Sequence, residues 1–245
     1  MDCIVRDLKM AREVVILAGG FGTRLKSVVN NVPKSMAPIA GRPFLEWQLK
    51  LLKKLKVTHV VFAVGYLSDS ISHFFGSTYD DIVISYSLEQ EPLGTGGAVK
   101  LALDKIQSEC AFVLNGDSLS NYPFDAMQSL VTIHHAPAVV STVKVLNAAR
   151  YGAICFDKSN PLKVAGFSEK GVSGPGEINT GCYLLSKRSV LGSCPLAKFS
   201  LEQDYLEKIS AQGDLYAVTS EPPFIDIGIP EDFHIAQELI PRMTE

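Results

Sequence analysis

Paired cysteines are missing from this sequence. Its five cysteines (Cys3, Cys110, Cys155, Cys182, Cys194) are odd in number and scattered, with no C-x-x-C pair. That argues against a disulfide framework or a zinc ribbon, and the thiols read as reduced ones in a cytoplasmic protein. Long apolar runs are also missing. None approaches the ~18 residues that cross a bilayer. The first such run, Val14-Val15-Ile16-Leu17-Ala18, is strand-sized and too short for a signal-peptide core, so neither a leader nor a membrane partner is expected. Charge of one sign is missing too. Lys and Arg total 23 against 26 Asp and Glu, a net charge of −3, which offers no electrostatic footprint for nucleic acid. Internal repeats, low-complexity stretches and linker-like segments are absent. What is present is ordinary globular composition, 47% apolar and 20% charged. At ~150 residues per domain, the length suits one elaborated α/β domain.

Val14 to Ala18 is apolar, β-branched at its start and closed by Gly19-Gly20, as a fully buried parallel strand should be. Phe44 to Lys56 carries apolar residues at helical spacing. Val57 to Val64 reads as a strand, Ser68 to Phe75 as a short helix and Ile82 to Tyr86 as a third strand. Ala98 to Ile106 predicts a helix, Ala111 to Leu114 a buried strand, Phe124 to His135 a helix and Val139 to Val145 a fifth strand. This alternation predicts a parallel sheet with helices on both faces. After about residue 150, short strands (Ala153–Phe156, Val164–Phe167, Cys182–Leu185, Phe224–Ile227) lie between Gly/Ser/Pro clusters. Leu201 to Ala211 and Pro230 to Ile240 are helical by pattern.

The first glycine cluster, Leu17-Ala18-Gly19-Gly20-Phe21-Gly22-Thr23-Arg24-Leu25, follows a buried strand, where open α/β sheets bind nucleotides. Glycines let backbone N–H groups close on phosphate oxygens, and Arg24 adds a forked cation. The cluster is not a Walker A loop, because no Gly-Lys-Ser/Thr ends it. It is not the dinucleotide fingerprint either, because Leu25 stands where the third glycine would be. Lys34 sits between Pro33 and Pro38, a semi-rigid frame for a charge that also suits plain solvated surface. In Glu89-Gln90-Glu91-Pro92-Leu93-Gly94-Thr95-Gly96-Gly97-Ala98, three glycines precede the expected helix. They would admit a planar or anionic ligand, or simply turn the chain into the helix. Asp117 and Asp226 each follow a strand. Alone each could be a helix cap; together, beside two phosphate-type loops, they suggest a hard-metal site.

Taken together these segments resemble the sugar-1-phosphate nucleotidylyltransferase family. The resemblance rests on Gly19 to Leu25, Pro33-Lys34, Glu91 to Gly97, Gly116-Asp117, Glu169-Lys170, Asn179-Thr180-Gly181 and Asp226 to Asp232, in the family's order and spread over nearly the whole chain. Among subfamilies the sequence is most similar to the compact D-glycero-α-D-manno-heptose 1-phosphate guanylyltransferases, which lack a C-terminal β-helix domain. The resemblance implies a Rossmann-like mixed, mainly parallel sheet flanked by helices. It implies one domain with a nucleotide-binding half (about 13–150) and a sugar-phosphate-binding half (about 151–245). It also implies a Mg²⁺-dependent reaction in which an NTP and a sugar 1-phosphate give NDP-sugar and pyrophosphate. The sugar phosphate attacks the α-phosphorus in line, and catalysis is positioning and charge neutralisation.

Carried over by motif, Arg24, Lys34 and Asp117 would be catalytic, with Arg24 on the β,γ-phosphates and Lys34 neutralising charge during transfer. Leu17, Ala18, Gly19, Gly20, Gly22, Thr23, Glu89, Gly94 and Thr95 would complete the nucleotide site. Asp117 and Asp226 would hold Mg²⁺. Lys170 would bind the sugar phosphate, while Glu169, Asn179 and the Gly152 backbone would take sugar hydroxyls. Alignment with pyrimidine-using relatives sets Glu89 near their base-reading glutamine. A carboxylate there accepts from guanine N1–H and N2–H₂ together, which favours GTP; otherwise Glu89 ends a strand on the surface. Two departures stand out: about a dozen residues precede the first strand, where the family usually begins almost at it, and Ile229 stands where many relatives carry threonine, which leaves the metal aspartate untouched. Competing expectations are mannose 1-phosphate with GTP, glucose 1-phosphate with dTTP or UTP, and a non-catalytic nucleotide or sugar-phosphate sensor. A homo-oligomer is compatible with all of them.

Overall fold

The computed structural model describes residues 12–20, 32–65, 68–168, 171, 173–194 and 197–244. The first half runs β1 (Glu13–Leu17), a 3-10 turn (Lys34–Met36), the hairpin β2 (Pro38–Ile39) and β3 (Arg42–Pro43), α1 (Phe44–Lys54), β4 (His59–Val64) and α2 (Ser68–Phe75). It continues through β5 (Thr78–Tyr79), β6 (Ile82–Leu88), α3 (Gly94–Ala102), β7 (Cys110–Asn115), β8 (Ser118–Ser120), α4 (Phe124–His134) and β9 (Ala138–Val145). The second half adds β10 (Ile154–Phe156), β11 (Val164–Phe167), β12 (Gly176–Ser186), α5 (Lys187–Ser193) and a π-type turn (Leu201–Leu206) leading into α6 (Glu207–Ala211). β13 (Leu215–Thr219), β14 (Phe224–Asp226) and α7 (Pro230–Thr244) close the chain.

Eight strands form the main sheet in the order β13-β9-β12-β7-β1-β4-β6-β5. β1 pairs in parallel with β4 on one side and β7 on the other, and β4 with β6. β12 enters antiparallel between β7 and β9, while β13 runs parallel to β9. The sheet is therefore mixed and mainly parallel. The period-2 alternation of β1 sends Val14 and Ile16 to one face and Val15 to the other. On the first face they meet α1, α4 and α7 through residues such as Leu49, Met127 and Ala236. On the second they meet α3, α5 and α6 through Val99, Val190 and Ile209. Both faces of the central strands are buried, which is why these strands read as unbroken apolar runs.

Two expectations are corrected. The strand expected at Cys182–Leu185 begins at Gly176, and its polar first half escaped the pattern. The helix expected from Ala98 begins at Gly94, so the glycines lie inside its first turns. Glycine costs a helix about 1 kcal/mol per position, so something offsets it. That is the segment around Phe199: Gly96 N–H donates to Phe199 O (3.0 Å) and Phe199 N–H to Leu93 O (3.0 Å). A Cβ on Gly96 would overlap the Phe199 ring, and Gly94 (φ +71°) would meet Phe199 O at 2.6 Å. At Gly96 the missing side chain admits the chain's own second half rather than a ligand.

At the opposite end of β1 from its glycines, Glu13 is only 4% exposed. One carboxylate oxygen accepts from Gln107 N–H (2.9 Å), Ser108 N–H (2.6 Å) and Ser108 Oγ (2.5 Å), and the other lies 2.9 Å from His59 Nδ1. Burial pushes the carboxyl up, but the bonds from His59, Ser108 and Gln107 outweigh it and hold it below its ordinary value. An acid with a depressed folded pKa contributes stability above its unfolded value, lost as pH falls through the folded one. Glu13→Ala is therefore expected to lose on the order of 3 kcal/mol at neutral pH by orphaning buried donors. The gap to wild type should narrow below about pH 4.5. Urea melts at pH 7 and pH 4 check it; equal gaps at both would refute the ionised role.

Candidate active site

β1, β6 and β7 deliver their carboxyl ends to one place. Ala18 and Asn115 through Asp117 leave adjacent strands, with Leu17 in register with Asn115, and Glu89 leaves β6, beyond β4. β1 has parallel partners on both sides, so this is the crevice that open α/β sheets provide for ligands. A cavity of about 330 Å³ occupies it, within the small-molecule range. Leu17, Ala18, Gly19, Gly20, Lys34, Glu89, Gly94, Thr95 and Asp117 all line it, so the structure gathers nine expected nucleotide residues in one cavity. Phe21, Gly22, Thr23, Arg24 and Leu25 lie outside the described residues.

The floor of the cavity is apolar where Ala18, Ala63, Pro92 and Ala98 line it, and Glu89 adds a carboxylate to that patch. Glu89 is half-buried rather than a surface strand end. Its Oε2 accepts from Leu93 N–H at 2.9 Å. Its Oε1 lies so near the glycine loop that a Cβ on Gly19 would stand 3.2 Å away. Burial pushes this carboxyl above its ordinary value, and the Leu93 N–H offsets that only in part.

Lys34, Asp117 and Asp226 meet although they are distant in sequence. Asp117 ends the turn after β7, and the following β8 pairs antiparallel with β14, setting Ser118 opposite Asp226. Ile227 N–H then donates to Asp117 O (3.0 Å) and locks the two turns together. Lys34 Nζ lies 2.6 Å from Asp117 Oδ2 and 3.3 Å from Asp226 Oδ1. Gly228 N–H donates to Asp226 Oδ1 at 2.7 Å. Burial and the Asp117 charge push the Asp226 carboxyl up, against the pull of Lys34 and the Gly228 N–H. Two carboxylates share one ammonium, leaving an excess negative charge in a half-enclosed site. Among the described residues no three His, Cys, Asp or Glu converge on one point. Two carboxylates with phosphate oxygens to complete the shell fit a hard divalent cation.

A second cavity, of about 570 Å³, adjoins the first and shares Asn115 and Glu202 with it. Gly152 and Asn179 line it, as expected of sugar-site residues. Asn179 is placed by an irregularity: between the pairs Asn179–Thr142 and Tyr183–Val140, three residues of β12 oppose one of β9. Its Oδ1 accepts from Gly181 N–H (2.8 Å) and its Nδ2 donates to Tyr183 Oη (2.8 Å), which leaves one N–H and a lone pair for a ligand. The Gly152 expectation needs narrowing. Its N–H already donates to Ala148 O (3.0 Å), so its carbonyl is the backbone group left for a hydroxyl. Glu169 and Lys170 lie outside the described residues.

Sequence reasoning missed three contributors. Gln48, fully buried on α1, donates from Nε2 to Asn115 O (2.9 Å) and Ser118 O (3.0 Å), pinning the turn that carries Asp117. Tyr183 and Glu202 form the wall of the second cavity: Tyr183 Oη donates to Glu202 Oε1 at 2.9 Å. Burial, then the Glu202 charge, keeps that phenol protonated, so its direction of donation is fixed. Gln48 and Glu202 look like polar faces of amphipathic helices, and Tyr183 like core, so no sequence signal separates them.

The family model for Nucleotidyl transferase matches residues 13–242. The chain belongs to this family. A nucleotidyltransferase of this kind is an enzyme, and no helix among the described residues is long and apolar enough to cross a membrane. The D-glycero-alpha-D-manno-heptose 1-phosphate guanylyltransferase of Aneurinibacillus thermoaerophilus is 40% identical over 226 residues, 92% of this chain and 97% of that relative. Among solved structures, HddC from Yersinia pseudotuberculosis superposes with a TM-score of 0.83 at 37% identity, covering 93% of this chain and 98% of HddC. HddC complexed with GMP-PN superposes with a TM-score of 0.81 at 36% identity over the same shares.

Proposed function

We propose that this chain transfers GMP from GTP to a sugar 1-phosphate, with D-glycero-α-D-manno-heptose 1-phosphate the favoured acceptor, releasing pyrophosphate. The observation that carries this reading is the meeting of two cavities at a shared wall, with Lys34 and Asp117 lining the nucleotide side and Asn179 the other. A phosphate oxygen of the sugar 1-phosphate attacks the α-phosphorus of GTP, a P–O bond forms, and the bond to the β-phosphate breaks. No enzyme nucleophile enters, so the work is orientation and charge balance. Lys34 places a cation at the transfer point, and Arg24 the same at the departing phosphates. Ala18, Ala63, Pro92 and Ala98 give the base an apolar seat, which Glu89 reads. Lys170 takes the sugar phosphate, and Glu169, Asn179 and the Gly152 carbonyl take hydroxyls. Asp117 and Asp226 hold Mg²⁺, which when bound offsets charge on the phosphates. In this reading residues 13–150 are the nucleotide half and 151–245 the sugar half of one domain, and its NTP supply places it in the cytoplasm.

The test is a matrix of GTP, ATP, UTP and dTTP against heptose, mannose and glucose 1-phosphates, following pyrophosphate release. GTP with the heptose 1-phosphate should lead. EDTA should abolish release and Mg²⁺ restore it. A lead for dTTP or UTP with glucose 1-phosphate would overturn the assignment.

A further inference from the structure

The π-type turn at Leu201–Leu206 lies on the rim of the second cavity, where Glu202, Gln203 and Glu207 all line it. In an α-helix, residues five apart are about 140° apart around the axis, so Glu202 and Glu207 could not both face one cavity. Here Glu207 N–H donates to Glu202 O. That wider i→i+5 closure brings residues five apart nearly into line. Ser200 fixes where the turn begins, its Oγ accepting from Gln203 N–H at 3.2 Å.

The three side chains differ in what already holds them. Glu202 accepts from Tyr183 Oη (2.9 Å) and lies within reach of the Thr95 (3.5 Å) and Ser200 (3.4 Å) hydroxyls, so it is a fixed part of the wall between the cavities. Gln203 and Glu207 are exposed, and their side chains have no protein hydrogen-bond partner among the described residues. An amide and a carboxylate with free donor and acceptor capacity thus stand at the open edge of a site whose inner wall is already organised.

Resting on the sugar-1-phosphate reading above, we propose that Gln203 and Glu207 determine acceptor specificity by binding hydroxyls of the exocyclic chain of the sugar. A heptose differs from mannose by one more hydroxyl-bearing carbon outside the ring. Tyr183 is fully buried and bonded to Glu202, whereas Gln203 and Glu207 stand at the exposed edge, where a longer exocyclic chain meets solvent.

The experiment compares wild type, Gln203→Ala, Glu207→Ala, Glu207→Gln and the double alanine variant on heptose 1-phosphate and mannose 1-phosphate. The readout is the ratio of the two kcat/KM values with GTP saturating. Losing one or two hydrogen bonds to a substrate hydroxyl should lower the heptose preference about fivefold to fiftyfold in the double variant. The change should fall in KM for the sugar, with part of it recovered in Glu207→Gln. Melting temperatures should match wild type. An unchanged ratio, or equal losses on both sugars, overturns the rim assignment while leaving the guanylyltransferase reading intact. A wild-type chain that uses neither sugar with GTP overturns that reading, and this inference with it.

Discussion

Asp226→Asn should cost about 10²–10³ in kcat while the protein melts no lower than wild type. The two halves of that expectation have one cause. Asp226 is half-buried beside Asp117, and both facts push its carboxyl up. An acid whose folded pKa is raised works against stability once pH exceeds its unfolded value, so removing the charge relieves the apo fold. Asparagine can still accept from Gly228 N–H, and Lys34 keeps Asp117 at 2.6 Å. What the variant lacks is a formal charge facing the transferring phosphates, and removing one electrostatic stabiliser of a transition state is worth about that factor. Asp117→Asn should behave alike in turnover. It keeps the fold because Ile227 N–H bonds the backbone of Asp117 rather than its side chain. The decisive measurement is pyrophosphate release across a Mg²⁺ titration, with melting curves alongside. Near-normal turnover of Asp226→Asn at ordinary Mg²⁺ would refute the two-aspartate assignment. A large fall in melting temperature would mean the carboxylate is structural.

That pair also marks how far the sequence could be read. β1 and β7 are buried on both faces, so Val14–Leu17 and Ala111–Leu114 stand out as apolar runs, and the loops after them could be placed at the ligand end of the sheet. Asp117 and Asp226 were each visible as strand-end carboxylates. Their meeting was expected from the family resemblance and not from strand periodicity, because it depends on a ribbon of three residues per strand, too short to carry a period. The insertion of β12 between β7 and β9 was hidden for another reason. Its first half, Gly176–Thr180, holds a single apolar residue, Ile178, and places Asn179 in the second cavity, so it lacks the apolar pattern by which strands are recognised. Gly96 misled in the opposite direction. A glycine-rich turn before a helix suggests room for a ligand, yet Phe199 takes that room. Glu202 and Glu207 were illegible because helical periodicity assigns them to different faces, and only the π register unites them. Local propensity was therefore sufficient where the core dictates the residues, and failed where function overrides it.

Replacing Glu89 by glutamine is expected to lower the preference for GTP over UTP or dTTP by about ten- to a hundredfold. One carboxylate oxygen is engaged with Leu93 N–H, and the other lies against the glycine loop in the cavity that Ala18, Ala63 and Ala98 also line. An ionised carboxylate only accepts hydrogen bonds, and guanine offers two adjacent donors at N1 and N2. Uracil and thymine offer one donor flanked by carbonyls, which would set acceptor against acceptor at a cost of about 1–3 kcal/mol in a desolvated site. Glutamine presents one donor and one acceptor, matching the pyrimidines better and guanine worse. The raised carboxyl gives the assignment a pH signature. As pH falls toward that range, Glu89 takes up a proton and loses its acceptor character, so wild-type kcat/KM for GTP should fall faster than for UTP. In Glu89→Gln the base ranking should not move with pH. Because burial disfavours the ionised form, the variant should also melt at or above the wild-type temperature, which separates base reading from a structural role. If the base ranking is the same in both proteins, or follows the same pH course in both, Glu89 does not read the base.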